Sequence, residues 1–443
     1  MRIAIVGGGC SGLLVAVNLL RNGFRDRLVV VEPRAELGHG LAYSTTFDEH
    51  LLNVCAGKMS ALPSEPSHFV DWLRARNWPG ASPDTFAPRR IYGEYLSSLL
   101  KDELAADARN FHHVASEVAS IHVDGDTARL MLGNCAVVGA EKVVLALGNP
   151  PSGSHFGTPT PGMEDRWHPS PWLGGALQLR APGECILLIG AGQTAIDAAL
   201  ALQSQPGGCR LYMLSRSGRL PQVHAPHAEP EPPPVRRCSL RCIFHQLRER
   251  ARAGEEAGIG WQSTIDALRP ISNQLWQDLS LADRRRFMRH LKTLWETHRS
   301  RTAPAVRQLL DCYRAQGRVE IIAGRLRGSR VHAGAIEARI ALRNGAQRFI
   351  QIDRVINCTG IHEYYHQRPR PLIAQLLREG LASANDLGIG FRTGDDGALT
   401  GPASHLLFTL GPPRRGQLFE TIAVPEIRVQ AEELAKRLLD MTI

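Results

Sequence analysis

Two glycine-rich turns, one starting at Gly7 and the other at Gly190, constrain this 443-residue chain more than any other feature. The apolar run Ile3-Ala4-Ile5-Val6 leads into Gly7-Gly8-Gly9-Cys10-Ser11-Gly12. An apolar segment of helical period follows from Leu13 to Leu20, and a second apolar run, Leu28 to Val31, ends in Glu32. The order is strand, tight turn, helix, strand, acid. Gly7, Gly9 and Gly12 occupy the pattern G-x-G-x-x-G. The first permits the turn, the second lets the backbone approach a pyrophosphate, and the third lets helix and strand pack closely. The pyrophosphate would sit on the unpaired N–H groups of the helix N-terminus. Glu32, 20 residues after Gly12, stands where a carboxylate accepts ribose hydroxyls. A chance glycine turn would not bring strand, helix and acid into this register.

The pattern recurs. Ile186-Leu187-Leu188-Ile189 leads into Gly190-Ala191-Gly192-Gln193-Thr194-Ala195, and Ala195 stands where the third glycine would be. Helical period runs through Leu202, and the next short strand, Leu211 to Leu214, ends in Ser215-Arg216-Ser217 instead of an acid. A carboxylate there would repel a 2′-phosphate, whereas arginine binds one in a bidentate fork. Gly190, Gly192, Ser215 and Arg216 are therefore expected to hold NADPH rather than NADH.

Two further runs, Val143 to Gly148 and Val355 to Gly360, are apolar strands ending in glycine. Each can return the chain against a bound dinucleotide, because glycine allows close backbone approach. The expected fold class is α/β: two nested Rossmann-like dinucleotide-binding domains, for FAD and NADPH, with an all-α insert. Residues 1–160 and 361–443 would form a discontinuous FAD-binding domain. Residues 161–225 and 317–360 would form the NAD(P)H-binding domain. A proline-rich connector opens a helical insert, 226–316, that would act as lid or substrate region.

The net charge is +9, and 47 of the 52 cations are arginine. A nucleic-acid binder can look like this. The charge is local, however. Residues 236–301 hold 13 arginines and one lysine against seven acids. The nucleotide-binding frame is nearly neutral, so no nucleic acid is expected as partner. No run approaches the roughly 20 apolar residues of a membrane span, and Met1-Arg2 enters the first strand without the order of a signal peptide. The nine cysteines are scattered, with no C-x-x-C and nothing at zinc spacing; Cys238-x-x-x-Cys242 is the nearest pair. They read as reduced thiols of a cytoplasmic protein, with no metal site.

Four other stretches are more distinctive: Gly38 to Ser44 with Leu51-Leu52-Asn53-Val54; Pro88 to Leu96; Trp261, Ala267 to Pro270, Leu275-Trp276, Arg286-Phe287, Arg289-His290, Trp295 and His298-Arg299; and Leu410-Gly411-Pro412, Arg415-Gly416, Glu420-Thr421 and Ala423 to Arg428. On these the chain resembles bacterial FAD/NAD(P)-binding proteins related to flavin-containing monooxygenases and N-hydroxylases. The resemblance implies that Gly7, Gly9, Gly12 and Glu32 hold the ADP moiety of FAD. It further implies that Tyr43 to Ser60, including Asn53 and Met59, passes near the flavin, and that Val118 contacts the adenine. Gly148 and Gly360 close the two returns, and Gly411 and Gly416 would close over the flavin ring and ribityl chain. Two positions depart from the family pattern, Cys55 for proline and Phe419 for tryptophan. The Baeyer–Villiger fingerprint is missing too, since Phe156-Gly157 and His168 have the wrong spacing.

The implied chemistry is hydride transfer from NADPH to flavin. Oxygen transfer from a C4a-hydroperoxyflavin to an amine or sulfur of a small molecule, anionic molecules included, would follow, with O2 as co-substrate. Positioning and water exclusion supply most of the rate in such a site. Asn53, Arg89 and His290 are the candidate catalytic groups, with Arg90, His224, Arg289, His298 and Arg299 nearby in sequence or on the insert. Two other readings stay open: a reductase or dehydrogenase that inserts no oxygen, and a flavin-loaded binding or sensor protein. Oligomeric state is left open.

Overall fold

The computed structural model describes residues 1–149, 159, 161–225, 238–360, 364–365 and 369–441. The proline-rich stretch 226–237 and the Phe156-Gly157 pair lie outside the described residues.

The chain builds the same unit twice. In the first, β1 (Arg2–Val6), β2 (Arg27–Val31), β3 (Phe111–Val114), β7 (Lys142–Leu145) and β15 (Leu407–Thr409) form a parallel sheet in the order β15-β7-β1-β2-β3. Strands covered on both faces need continuous apolar runs rather than alternation, and Ile3 to Val6 and Leu28 to Val31 are buried throughout. Between β3 and β7 the chain forms an antiparallel meander, β4 (Val118–Asp124), β5 (Thr127–Leu132) and β6 (Val137–Ala140).

The second unit sits between β7 and β15. Its sheet runs β13-β12-β11-β10-β9-β14-β8. The strands β8 (Trp167–His168), β9 (Glu184–Ile189), β10 (Cys209–Ser215) and β14 (Arg354–Asn357) are parallel, as is the first part of β11 (Val319–His332). Beyond Gly324, β11 continues into an antiparallel meander with β12 (Ala335–Leu342) and β13 (Gln347–Ile352). The sequence reading missed both meanders.

Helix α1 (Cys10–Arg21) follows the first glycine turn and is buried from Ser11 to Leu20. Its neighbours are α2 (His68–Ala75), α3 (Arg89–Ala106) and α12 (Val424–Asp440), whose Phe69, Tyr92, Tyr95, Ile427 and Leu434 share its core. Helix α4 (Gln193–Gln203) follows the second turn, and α11 (Pro371–Arg378) packs on the first meander. Between β10 and β11 lie α5 (Leu240–Glu256), α6 (Trp261–Ala267), α7 (Ser272–Asp278), α8 (Leu281–His290), α9 (Lys292–Arg299) and α10 (Pro304–Ala315). Val306 and Leu310 of α10 pack in one core with Ala195, Ala199 and Val319. This helix is thus the crossover of the second sheet. The insert proper, α5 to α9, has its own small core of Ile243, Trp276 and Leu279, closed by Phe419 from the C-terminal segment.

One expectation is corrected. Cys238 and Cys242 are paired as a disulfide across the first turn of α5, and the other seven cysteines are free thiols. Cys238 lies just before the N-cap Ser239 and Cys242 lies in the first turn, so the pairing depends on how the chain enters α5, which spacing alone does not show.

Candidate functional site

The two glycine turns have the same geometry. Gly7 N–H donates to the Val31 carbonyl at 2.9 Å, and Gly190 N–H donates to that of Leu214 at 2.8 Å. Each turn is pressed against the chain returning from the matching strand. A Cβ on Gly7 would lie 2.4 Å from the Ala146 carbonyl oxygen, and one on Gly190 would lie 2.3 Å from that of Cys358. Both glycines have positive φ, 103° and 137°. A Cβ on Gly12 would lie 1.9 Å from the Gly7 carbonyl oxygen, so helix α1 seats directly on the turn.

The space in front of each turn suits a dinucleotide. Gly9 and Gly192 are the N-caps of α1 and α4, and both are extended. Neither cap has a side-chain hydrogen bond and neither first turn carries an acid, so the N–H groups keep their affinity for an anion. A Cβ on Gly148, Gly192 or Gly360 would meet nothing within 4 Å. That is the open approach a phosphate or ribose needs. The buried Glu32 carboxylate accepts the Gly8 N–H at 2.9 Å and the Arg34 N–H at 3.2 Å, which fixes it over the first turn at the end of β2. Val118 opens β4 and is buried beside the end of β3.

At the second turn, the Ser215 hydroxyl accepts the Gly218 N–H at 3.0 Å. Arg216 is exposed at the end of β10, and its guanidinium reaches the Thr293 hydroxyl of α9 at 3.5 Å. The insert therefore borders the second nucleotide site.

Tyr43, Asn53 and Met59 lie along a segment that starts beside α1. The Tyr43 ring lies 4.9 Å from that of Tyr92, tilted at 59°, and packs against the core containing α1. Burial, with the Cys10 sulfur nearby, pushes its phenol far above the usual range. Met59 is buried. The Asn53 carbonyl accepts a hydrogen bond from His224 Nε2 at 2.9 Å, which brings the segment that follows β10 to this one. Gly411, at positive φ, faces the Ser11 hydroxyl of α1 and is held by Gln430, whose side-chain oxygen accepts its N–H at 3.1 Å.

Three expectations change. Arg89 is committed to protein groups: its guanidinium ion-pairs with Asp197 at 2.8 Å and donates to the Leu51 carbonyl at 3.2 Å. His290 is exposed at the end of α8. Gly416 faces protein rather than open space, because a Cβ there would overlap the Asn385 amide, and its carbonyl accepts Trp276 Nε1–H at 3.1 Å.

Several arginines of the insert have internal partners as well. Arg269 grips the Glu426 carboxylate at 2.6 and 3.1 Å. Trp295 and Arg299, one turn apart on α9, both donate to the Glu420 carboxylate, at 3.2 and 3.4 Å. Arg415 pairs with Glu296 at 3.1 Å. Phe419 stacks on Trp276 at 4.7 Å. The third and fourth distinctive stretches are thus two halves of one interface. Sequence reasoning also missed Arg301, 2% exposed and paired with Asp266, and Arg354, 1% exposed and paired with Glu184 at 2.6 Å. No local pattern marks either one.

Three histidines, His50, His168 and His224, are driven toward the neutral form chiefly by burial. Their unfolded imidazoles titrate near 6.5, so on acidification the unfolded chain takes up protons first. Stability should be full above that pH and fall as pH drops below it toward the depressed native values. Thermal melts should show a steady Tm down to about pH 7 and a decline by about pH 5.5. A flat Tm across that window would contradict these protonation states.

The paired turns, return strands and nested order define a protein with two dinucleotide-binding units. Residues 4–150, the first turn through its return strand, match the family described as FAD-NAD(P)-binding. Tryptophan 2-monooxygenase of Pantoea agglomerans pv. gypsophilae is 44% identical over 66 residues, 15% of this chain. The chain spans about a tenth of the length of that curated relative, since the match covers 11% of it. Two solved structures are similar over nearly the whole chain. The ornithine N-hydroxylase of Kutzneria sp. 744, with reduced FAD, NADP+ and L-ornithine, has a TM-score of 0.68 at 15% identity, covering 100% of this chain and 99% of that one. The cadaverine monooxygenase of the desferrioxamine biosynthetic pathway from Erwinia amylovora, bound to FAD, has a TM-score of 0.70 at 13% identity, covering 99% and 94%. The chain shares the fold of these enzymes. No helix among the described residues is long and apolar enough to cross a membrane.

Proposed function

We propose that this protein is an NADPH-using FAD enzyme that transfers oxygen to an amine or sulfur of a small molecule. The observation that carries the reading is the duplicated turn: one with a carboxylate at the end of its second strand, the other with Arg216 in that place. FAD, when bound, supplies hydride acceptance and reaction with O2. The chain's own residues supply the rest. Gly7, Gly9, Gly12 and Glu32 bind the FAD adenosine diphosphate. Gly190, Gly192, Ser215 and Arg216 bind NADPH. Tyr43 to Ser60, with Gly411, line the flavin side, and Asn53 is held there by His224. The Arg269, Arg299, Trp295 contacts with Glu420 and Glu426 fasten the insert over this region, which limits water access and keeps oxygen transfer ahead of peroxide release. The amine substrates of the two structural relatives support the substrate class.

The decisive measurement is a screen of primary amines and thioethers, scored by NADPH oxidation, peroxide release and product mass. A substrate that stimulates NADPH oxidation without matching peroxide and gains one oxygen atom supports the reading. Stoichiometric peroxide with every compound points instead to a reductase without oxygen insertion, and a chain that takes up no FAD rejects both.

Arg216→Ala should raise the KM for NADPH about 10- to 100-fold, the worth of one or two charge-assisted hydrogen bonds. The KM for NADH should stay unchanged. Steady-state kinetics with both nucleotides checks this, and equal effects on the two would remove Arg216 from the 2′-phosphate.

A further inference from the structure

The two nucleotide-binding units are joined by a buried polar connection that neither glycine turn requires. Residues 47–53 and 86–89 run side by side through an antiparallel bridge between Leu51 and Pro88. Leu52 N–H donates to the Ala87 carbonyl, and Arg89 N–H to that of His50, each at 2.8 Å. This pair of segments lies on the second unit, where Phe47, Leu51 and Phe86 pack against the core that holds α4. At its centre is Asp197, 3% exposed, five residues into α4. The Asp197 carboxylate ion-pairs with Arg89 at 2.8 Å. Its carbonyl accepts His50 Nε2–H at 2.9 Å, and the other ring nitrogen of His50 accepts the Thr45 hydroxyl at 2.7 Å. His50 is completely buried.

The helix that carries Asp197 begins at the second anion seat, and the segment that carries His50 runs on to Asn53. We propose that Asp197, with Arg89 and His50, forms a positioning clamp that fixes the N-terminus of α4, and hence the nicotinamide nucleotide it carries, relative to the flavin-facing segment. This rests on the FAD and NADPH reading above. Hydride transfer requires donor and acceptor within about 3–3.5 Å, and a misplacement of about 1 Å can cost 100-fold in rate. A buried ion pair between α3 of the first unit and α4 of the second has that leverage. The apolar contacts around it hold the units together but do not select one register.

The test uses Asp197→Asn, Arg89→Met and Arg89→Lys in the full chain. The first readout is the limiting rate of anaerobic flavin reduction at saturating NADPH, with FAD content and NADPH affinity measured alongside. Asp197→Asn and Arg89→Met should load FAD normally and bind NADPH within about threefold of wild type, while the limiting rate falls about 10- to 100-fold. Arg89→Lys, which keeps the charge, should recover part of the loss. The second readout needs no nucleotide chemistry. Cys135 and Cys312 are exposed thiols, one on each unit, and spin labels on them report the distance between the units. The distance distribution should broaden or shift in Asp197→Asn and Arg89→Met.

A superimposable distribution, or a limiting rate that is unchanged or falls only with lost FAD, overturns the clamp. A wild-type protein that NADPH does not reduce overturns the functional reading instead, and the label distances then decide the clamp alone.

Discussion

Gly12→Ala should purify colourless, while Gly190→Ala should purify yellow yet resist reduction by NADPH. The reason is steric and local. A methyl group on Gly12 would lie 1.9 Å from the Gly7 carbonyl oxygen and 3.1 Å from Ile5 Cγ2. Neither neighbour can move, because Gly7 is itself pressed on the Ala146 carbonyl and Ile5 is fully buried in the sheet. Helix α1 would have to lift off the turn, carrying its N–H groups away from the pyrophosphate. At Gly190, a methyl group would meet the carbonyl oxygen and carbon of Cys358 at 2.3 and 2.7 Å, at a φ that side chains rarely adopt. The damage there falls on the β9–β14 pair and the start of α4, while the first sheet is left alone. We expect FAD content near zero in the first variant. In the second it should be near wild type, with NADPH affinity reduced about 100-fold or more, equivalent to about 3 kcal/mol. Dithionite should still bleach the flavin of Gly190→Ala. Equal FAD loading in both variants, or normal NADPH reduction of Gly190→Ala, would remove the assignment of one nucleotide to each turn.

The second large effect concerns the insert. Glu420→Ala should leave the nucleotide-binding frame folded and loosen α5 to α9. The Glu420 side chain, 7% exposed, accepts from Trp295 and Arg299, and its backbone exchanges two 2.9 Å hydrogen bonds with Asn273. Truncation strands the Arg299 guanidinium, whose Nε already lacks a hydrogen-bond partner in a nearly closed environment. Removing one member of a buried pair costs about 3–5 kcal/mol. The lower end suits this site, because Arg299 retains Glu426 at 3.9 Å. Hydrogen exchange by mass spectrometry should show protection in 261–299 falling about 100-fold, with peptides of β1 and α1 unchanged. Glu420→Gln, which can still accept from Trp295, should fall in between. Unchanged protection in Glu420→Ala would mean that the Trp276–Phe419 stacking alone carries the docking.

The glycine turns were legible because each is a local object. Strand, turn, helix and the next strand close within about 30 residues, and the residue types needed at each step are set by φ and by contact distance. Gly7 and Gly12 were identified for the reasons that the Ala146 and Gly7 carbonyl oxygens now make explicit. The return strands at Val143 and Val355 could be read too, because a buried parallel strand is a continuous apolar run. The meanders were missed although β5 and β12 alternate buried and more exposed positions, because such short alternating runs do not show which strands they will pair with. Helix α10 looked like part of the insert because helical period does not reveal which surface a helix will cover.

The insert's charge makes the same point. Its excess of arginine could be counted from the sequence, and a small anionic substrate was a reasonable use for it. Glu420 and Glu426, more than 100 residues further along, accept Arg299, Arg269 and Trp295 instead. The Arg89–Asp197 pair spans 108 positions and joins α3 of the first unit to α4 of the second.

The sequence by itself determined where the two glycine turns lie and what ends the strand after each, a carboxylate at Glu32 and an arginine at Arg216, because those requirements act through adjacent residues. Tertiary structure alone decided which arginines are free and which are fasteners, and how the flavin-facing segment is tied to the second unit. Charge pairing depends on distance in space, and a buried ion pair leaves no periodic mark on the chain that folds to make it.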